Sequence, residues 1–243
     1  MRTVLVVLAI TIFLIISLPF YLISLVIGLF SEHAKIRYSQ TAAAVFFRTI
    51  LTFSATKCRV LGRENIPSKE AVLYAANHRS LADIAVAYIT LPNLTGFVAK
   101  KEMTKIPVMS WWMKSLNCLF LDRKNPREGL KTILKGVESI KKGFSMFIMP
   151  EGTRNHEEDM LPFKEGSLKM AEKTGCAVIP VAITNSDAVF ERQFPWVKKA
   201  TVIIHYGNPI YPDNLPKEKR KFIGNYVRDI IAAMLEEDKK LPL

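Results

Sequence analysis

A long uncharged segment near the N-terminus restricts what this chain can fold into more than any other feature. Thr3 to Phe30 read TVLVVLAITIFLIISLPFYLISLVIGLF. About 20 apolar residues are enough to cross a bilayer, so the segment predicts a helix in lipid. A straight helix of this length exceeds the hydrocarbon layer of about 30 Å. Because Pro19 has no backbone N–H, we expect a kink or break there, and both a tilted span and a helix that dips into the membrane and turns would fit.

A cleaved signal peptide is the alternative for this segment. The apolar part of a signal peptide is usually about 7 to 15 residues long, and small residues follow it at the cleavage site. Here the apolar run is longer and ends in Phe30, followed by Ser31, Glu32 and His33. The pattern therefore favours a retained anchor.

The next segment, residues 34–53, is also apolar but carries three cations. These are Lys35, Arg37 and Arg48. An arginine at the bilayer centre costs ~3 kcal/mol on insertion scales, so the pattern predicts a helix that lies at the membrane surface with its cations toward the headgroups. We therefore divide the chain into a membrane anchor, residues 1–55, and a second domain, residues 56–243. Cations are more frequent after the apolar run than before it, which favours this second domain on the cytoplasmic face of the inner membrane.

The net charge indicates an anionic partner. The chain has 34 Lys and Arg residues against 22 Asp and Glu, a formal net charge of +12. Such a charge favours nucleic acid, an acidic membrane surface or a phosphorylated substrate. The sequence contains no basic strand studded with aromatic residues and no recognised nucleic-acid-binding module, so we expect no nucleic-acid partner.

The cysteines give little indication of chemistry. Cys58, Cys118 and Cys176 are widely spaced and form no C-x-x-C pair, so they indicate neither a disulfide framework nor a zinc site. We expect small buried thiols in a reducing compartment. A cysteine nucleophile is the alternative.

Beyond residue 55, short apolar runs alternate with amphipathic stretches. The predicted strands are residues 57–62, 71–77, 95–100, 117–122, 144–149, 176–184 and 201–207. Several are apolar on both faces, as covered strands require. This alternation predicts a layered α/β domain with a mostly covered mixed sheet. Residues 186–199 fit no period and predict a surface loop.

Two helices are clear from their apolar periodicity. Asn125 caps and Gly143 ends the first, whose predicted apolar face comprises Leu130, Ile133, Leu134, Val137 and Ile140. The second lies near the C-terminus, and its apolar stripe comprises Phe222, Tyr226, Val227, Ile230, Ile231, Met234 and Leu235.

A histidine and an aspartate lie where a predicted strand gives way to a helix. In LYAANHRSLADIAVAY, His78 and Asp83 are placed so that the carboxylate can fix one imidazole nitrogen while the other takes a proton. Ser80 lies nearby but lacks the Gly-x-Ser-x-Gly turn that exposes a nucleophile. The nucleophile can therefore be an alcohol of the substrate. A pair that only caps the helix is the alternative.

Three further motifs follow at the ends of predicted strands or within them. In FLDR, Arg123 is either a surface charge paired with Asp122 or a phosphate ligand at the carboxyl edge of the sheet. In FIMPEGTRN, glycine permits close approach to a ligand and Arg154 offers bidentate donors. In VIPVAIT, Pro180 interrupts a strand, which places that strand at an edge or a bulge.

In this order and at these spacings, the motifs resemble those of the glycerolipid acyltransferase family. The resemblance covers residues 71–184. Its blocks are residues 77–83 (Asn-His, four residues, Asp), 120–123 (aromatic-x-x-Arg), 147–154 (Phe-x-x-Glu-Gly-x-Arg with one additional residue) and 178–183 (apolar with a central proline). It implies a layered α/β acyltransferase domain.

The resemblance also implies a reaction. His78, held by Asp83, would deprotonate the free sn-2 hydroxyl of a lysophosphatidic acid, which would attack the thioester of an acyl carrier protein (ACP) or coenzyme A (CoA) conjugate and give phosphatidic acid. No metal, cofactor or covalent enzyme intermediate is implied. Because the substrate is a membrane lipid, the lipid bilayer is the expected partner of the anchor.

The binding residues also follow from the resemblance. Arg123, Glu151 and Arg154 would bind the glycerol phosphate, and the turn at Gly152 would supply backbone amides for the transient oxyanion. Lys101 and Lys105 are weaker phosphate candidates that the family pattern does not include.

Three alternatives stay open at this point. The acceptor can be glycerol 3-phosphate or a lysophospholipid. The chain can be a membrane-binding protein without catalysis. It can also be a thioesterase or hydrolase with Cys118 or Ser80 as nucleophile, which would release the acyl group without an acceptor.

Overall fold

A computed structural model describes residues 1–157, 159–164 and 166–242. Within these residues the strands form one seven-stranded sheet. They are β1 (Lys57–Leu61), β2 (Leu73–Ala76), β3 (Thr95–Lys100), β4 (Leu119–Leu121), β5 (Ser145–Ile148), β6 (Val178–Thr184) and β7 (Thr201–Tyr206). The helices are α1 (Arg2–Phe30), α2 (Glu32–Phe53), α3 (Ala82–Thr90), α4 (Met109–Ser115), α5 (Pro126–Lys141), α6 (Lys169–Thr174), α7 (Lys217–Lys221) and α8 (Ile223–Asp238).

The sheet is mixed, as predicted. Its order is β1-β7-β6-β2-β5-β3-β4, and only the pairing of β6 with β7 is antiparallel among the described strands. The strands β2, β5, β3 and β4 run parallel, so their carboxyl ends meet at one edge. Ligands of open α/β sheets bind outside such an edge, and the predicted site residues follow these strands.

Helices cover both faces of the sheet. On one face, α2 and α3 bury Leu51 and Val86 against the strands. On the other, α5, α6 and α8 bury Val137, Met170 and Ile231. The predicted layered α/β fold with a covered sheet is therefore confirmed.

The strand that contains Pro180 is interior, so the expected edge position is wrong. Pro180 pairs with Ala75 of β2, and the antiparallel ladder to β7 begins one residue later, at Val181 and Tyr206. The Pro180 carbonyl accepts a hydrogen bond from Gly207 N at 2.8 Å, beyond the end of β7. Pro180 has no N–H to donate, but the position it would face lies past the end of β7. The β6–β7 ladder therefore loses no hydrogen bond.

The two predicted helices form, with one change in the buried face of α5. Asn125 caps α5 by accepting from the amides of Arg127 and Glu128. Its buried apolar residues are Ile133, Val137 and Ile140, whereas Leu130 and Leu134 are exposed. Small residues complete the buried face, and Gly136 lies against the Met170 side chain of α6. Helix α8 buries Ile223, Val227, Ile231 and Met234, whereas Phe222 of the predicted stripe precedes the helix and is exposed.

The first two helices form a hairpin at Ser31. Phe13 of α1 stacks on Phe46 of α2 with 4.0 Å between ring centroids. Helix α1 is continuous through Pro19, so no break occurs there. It is the one helix of the described residues that is long and apolar enough to cross a membrane. The division of the chain at residue 55 stays a prediction.

Candidate active site

The end of β2 places a histidine and an aspartate in direct contact. His78 Nδ1 lies 2.8 Å from Asp83 Oδ2, and the side chains are 16% and 0% exposed. Asp83 lies in the first turn of α3, so the turn between strand and helix brings the two side chains together. Since Nδ1 is engaged, the other imidazole nitrogen, Nε2, remains for a substrate; none of the described residues hydrogen-bonds to it.

The hydrogen bonds of Asp83 fix the tautomer of the histidine. Its Oδ2 also accepts from the backbone amides of Arg79 and Ser80, each at 2.9 Å. Because this carboxylate oxygen has no proton to donate, it also acts as the acceptor toward His78. The proton of the neutral imidazole is therefore on Nδ1, and Nε2 carries the free lone pair. In this form the imidazole can accept a proton.

A second carboxylate holds the main chain of the histidine. Glu151 Oε1 accepts from His78 N at 2.8 Å, and Oε2 accepts from Leu161 N at 2.9 Å. The His78 carbonyl accepts from Asn155 N at 2.8 Å. Burial raises the pKa of Glu151, and the amide donors oppose this shift. Both peptide groups of His78 are thus fixed by the turn after β5.

The residue before the histidine is fixed by the neighbouring strand. The Asn77 amide donates to Ile183 O at 2.9 Å and accepts from Ile183 N at 2.8 Å. With these two bonds the Asn77 side chain takes the place of a backbone pair between β2 and β6, beyond the last residue of β2. The imidazole is therefore held from both sides of its strand.

The turn that follows β5 brings Arg154 toward the turn that carries His78. Gly152 adopts a positive φ of 77°, a conformation that glycine adopts without strain. The Arg154 side chain is 41% exposed, and its Nη1 lies 3.1 Å from Glu191 Oε1. The backbone N–H groups of Thr153 and Arg154 have no hydrogen-bond partner among the described residues. A depression of about 400 Å³ is lined by Leu81, Arg154, His156, Phe190, Glu191 and Phe194.

The remaining cations lie further along the same sheet edge. Arg123 follows β4, three strands from β2, or about 14 Å at the usual strand spacing. Partial burial lowers the pKa of Arg123, and the Glu102 carboxylate opposes this. Asp122 pairs with Lys101 at 2.8 Å. Lys101 follows β3 and Lys105 ends the next 3₁₀ turn, so both lie beside Arg123 rather than beside His78.

Glu191 is the residue that sequence reasoning missed. It lies in the predicted surface loop, 186–199, where the structure has two short 3₁₀ turns and irregular chain. Its carboxylate contacts Ser80, Leu81 and Arg154. No local pattern identifies it, but the loop follows β6 at the edge that also carries His78. That topology is the signal that could have found it.

The two alternative nucleophiles are poorly placed. Ser80 is fully buried, and its hydroxyl donates to Glu191 at 2.6 Å. Cys118 is buried as well, and burial raises the pKa of its thiol. Neither group is activated as a nucleophile.

Fold and site together define an α/β protein with a histidine–aspartate pair at the carboxyl edge of its sheet and a cationic turn beside it. Comparison with known proteins then gives the family. The acyltransferase family model matches residues 57–184, and the chain belongs to the acyltransferase family.

Several relatives carry the name 1-acyl-sn-glycerol-3-phosphate acyltransferase. The Borreliella burgdorferi protein is 30% identical over 189 residues, which cover 78% of this chain and 76% of the relative. The Saccharomyces cerevisiae protein is 29% identical over 198 residues, 80% of this chain, and the chain spans 65% of the yeast protein's length.

A solved structure resembles the whole chain. The crystal structure of the 1-acyl-sn-glycerophosphate acyltransferase PlsC from Thermotoga maritima superposes with a TM-score of 0.84 at 26% identity. The match covers 100% of this chain and 96% of that one. The similarity therefore includes the N-terminal hairpin as well as the α/β domain.

Proposed function

We propose that the protein transfers an acyl group from an acyl thioester to the sn-2 hydroxyl of lysophosphatidic acid. His78 Nε2 takes the hydroxyl proton, and the oxygen attacks the thioester carbonyl carbon. The tetrahedral intermediate collapses with cleavage of the C–S bond, and the thiolate leaves with the proton from His78. Asp83 stabilises the imidazolium that exists between these steps. The products are phosphatidic acid and free ACP or CoA.

One observation carries this proposal: the 2.8 Å contact between His78 Nδ1 and the buried Asp83 Oδ2, beside a turn that presents Arg154. A base that is oriented by a carboxylate, without an activated enzyme nucleophile, suits a substrate that brings its own hydroxyl. The names of the relatives support the acceptor.

Arg154 and Arg123 bind the phosphate in this proposal, with Lys101 and Lys105 as weaker contributors. An arginine side chain reaches about 6 to 7 Å, so Arg123 can meet a phosphate that lies between it and the histidine across the strand spacing of about 14 Å. Glu151 has both oxygens occupied by backbone amides. We therefore assign it the placement of His78 instead of direct contact with the phosphate, which a carboxylate would repel.

The oxyanion of the intermediate requires donors. The amide of His78 is taken by Glu151, and those of Arg79 and Ser80 by Asp83. The amides of Thr153 and Arg154, next to Gly152, are without partners among the described residues, and we assign them to the oxyanion.

We further propose that α1 lies along the membrane surface, within one leaflet. Its contacts with the rest of the chain are spread over its length: the Thr3 hydroxyl accepts from Val197 N at 2.9 Å, and Ser24 Oγ lies 3.4 Å from Ser115 Oγ. A helix that crossed the bilayer would carry these attached parts into hydrocarbon. Most of its other side chains are apolar and exposed.

The loop beside the N-terminal end of α1 extends this apolar surface. Phe194 and Trp196 are 74% and 63% exposed, and the exposed Lys198 and Lys199 follow them. Aromatic rings with adjacent cations suit the boundary between anionic headgroups and acyl chains. Leu81, three residues after His78, is also exposed, so the site would open toward the lipid.

The experiment follows phosphatidic acid by mass spectrometry from the purified chain in mixed micelles. It uses lysophosphatidic acid with acyl-CoA and acyl-ACP of increasing chain length. Glycerol 3-phosphate and a lysophospholipid serve as competing acceptors. We expect lysophosphatidic acid to be the preferred acceptor, and acyl release without an acceptor would instead identify a thioesterase.

His78→Ala tests the base. General-base catalysis contributes about 10²- to 10⁴-fold, so we expect a loss in that range. His205→Ala is the matched control, because His205 Nδ1 also pairs with a buried aspartate, Asp238, at 3.0 Å, but the described residues show no hydrogen bond or ion pair between His205 and the site. A folded His78→Ala variant with the activity of the control would refute the assignment.

A further inference from the structure

One buried carboxylate joins the two halves of the site. The Glu191 side chain is 6% exposed. Its Oε2 accepts from the Ser80 hydroxyl at 2.6 Å, and its Oε1 accepts from Leu81 N at 2.9 Å. The same Oε1 lies 3.1 Å from Arg154 Nη1. Glu191 therefore contacts both the turn that carries the histidine–aspartate pair and the arginine of the neighbouring turn.

The contact with Ser80 leads directly to the pair. The Ser80 hydroxyl accepts from Ala82 N at 2.9 Å, at the start of α3, and Ser80 N donates to Asp83 Oδ2. A shift of Glu191 would thus be transmitted to Asp83 through one residue and to Arg154 through one hydrogen bond.

We propose that Glu191 is a positioning residue that fixes Arg154 relative to His78, and so sets the distance between the phosphate and the hydroxyl that reacts. This inference rests on the proposed function. One N–H group of the guanidinium is used by Glu191, and an arginine has five, so donors remain for the phosphate. The effect of Glu191 must be geometric, because its own charge repels a phosphate.

This reasoning separates two substitutions. Glu191→Gln keeps the geometry, since its oxygen accepts from Leu81 and Arg154 while its amide donates to the Ser80 hydroxyl. It also removes the repulsion. We expect its KM for lysophosphatidic acid to equal or fall below that of the unchanged protein, with kcat retained. Glu191→Ala removes all three contacts, so we expect KM to rise and kcat to fall, together about tenfold or more in kcat/KM.

The readout that isolates positioning is the preference for a phosphate-bearing acceptor. It is the ratio of kcat/KM for 1-acylglycerol 3-phosphate to that for 1-acylglycerol. We expect the ratio to fall about tenfold in Glu191→Ala, because Arg154 loses its orientation, and to be maintained in Glu191→Gln. A general loss of structure would lower both rates equally and leave the ratio unchanged.

Asp187→Ala is the matched control. Asp187 lies in the same loop and pairs with Arg192 through Nε at 2.9 Å and Nη2 at 2.8 Å. Among the described residues, the Asp187 side chain makes no hydrogen bond or ion pair with Arg154 or with residues 77–83, so the acceptor ratio should not change. Thermal unfolding of each variant verifies the fold. Should Glu191→Ala not fold, Glu191→Asp, which withdraws the carboxylate by one methylene, is expected to lower the ratio instead.

The outcomes are distinct. If the unchanged protein does not acylate lysophosphatidic acid, the proposed function fails. If it does, and the folded Glu191→Ala or Glu191→Asp variant keeps the acceptor ratio of Asp187→Ala, the positioning role of Glu191 is overturned.

Discussion

Asp83→Asn separates the charge of the aspartate from its geometry. In a histidine–aspartate pair with a single hydrogen bond, an asparagine can turn its NH₂ group toward the histidine and reverse the tautomer, and the loss is then about 10⁴-fold. Here Oδ2 accepts from three donors, the imidazole and the amides of Arg79 and Ser80. An NH₂ group in that position would face all three donors. The asparagine oxygen is therefore held in place, and the tautomer of His78 is retained.

The expected loss follows from the charge alone. A hydrogen bond to a charged group contributes about 1.5–3 kcal/mol and a neutral one about 0.5–1.5 kcal/mol, a difference of about 1.25 kcal/mol between the midpoints. This corresponds to about a tenfold lower kcat, since 1.36 kcal/mol is tenfold in rate. The asparagine NH₂ replaces Oδ1, which is buried without a partner among the described residues, so a modest loss of stability is expected as well.

The assay is kcat at saturating lysophosphatidic acid and acyl thioester, with thermal unfolding of the same preparation. Asp83→Ala is the comparison: it leaves two backbone amides and the imidazole N–H without their acceptor, so both activity and stability should fall further. The ¹⁵N chemical shifts of the His78 ring report the tautomer. A loss near 10⁴-fold with a reversed tautomer would refute the argument that the amides hold the asparagine, and unchanged activity would refute the role of the charge.

The other predictions concern the membrane surface and the pH dependence of stability. Phe194→Ser with Trp196→Ser should reduce binding to vesicles of anionic phospholipid in a sedimentation assay, whereas Phe222→Ser, which alters an aromatic residue that is also exposed (57%), should not; equal losses would contradict the assigned surface. Removal of residues 1–30 should weaken membrane association, and an equally membrane-bound truncated protein would show that other surfaces dominate. Burial raises the pKa of Asp238, so its ionisation opposes folding at neutral pH, and this penalty disappears as the pH falls through the folded pKa toward the unfolded value of about 3.9. The unfolding temperature of Asp238→Asn minus that of the unchanged protein should therefore be larger at pH 7 than at pH 4. The same difference at both pH values would contradict this.

The elements that formed as predicted are those with local causes. The Asn125 cap and the helix after it depend on residues within one turn of each other, and the apolar runs of β2, β5 and β6 are buried throughout. The interior position of Pro180 depends instead on where β7 ends, which only the assembled sheet determines. The exposure of Leu130 and Leu134 also depends on tertiary packing, since the face of α5 that lies against Met170 of α6 contains Gly136.

The site shows the same division. His78 and Asp83 are five residues apart, so their contact follows from one strand-to-helix turn. Glu151 was identified from its motif, but its contacts with two backbone amides were not, because they come from residues that the motif does not include. Glu191 contacts residues 110 and 111 positions earlier in the chain. A contact of that separation inside an aperiodic loop leaves no pattern in a single sequence.

The backbone of the turn at residues 78–81 explains why three acidic residues gather at a site for which we propose an anionic substrate. Its four consecutive N–H groups donate to carboxylates: the first to Glu151, the second and third to Asp83, and the fourth to Glu191. None of these four amides forms a helix or sheet bond among the described residues, and their acceptors are side chains instead. Charged acceptors give the strongest of such bonds, and each carboxylate comes from a different part of the chain. The turn is thus held in one conformation by three carboxylates, and the same bonds direct their negative charges at the amides, as the phosphate role proposed for Arg154 requires.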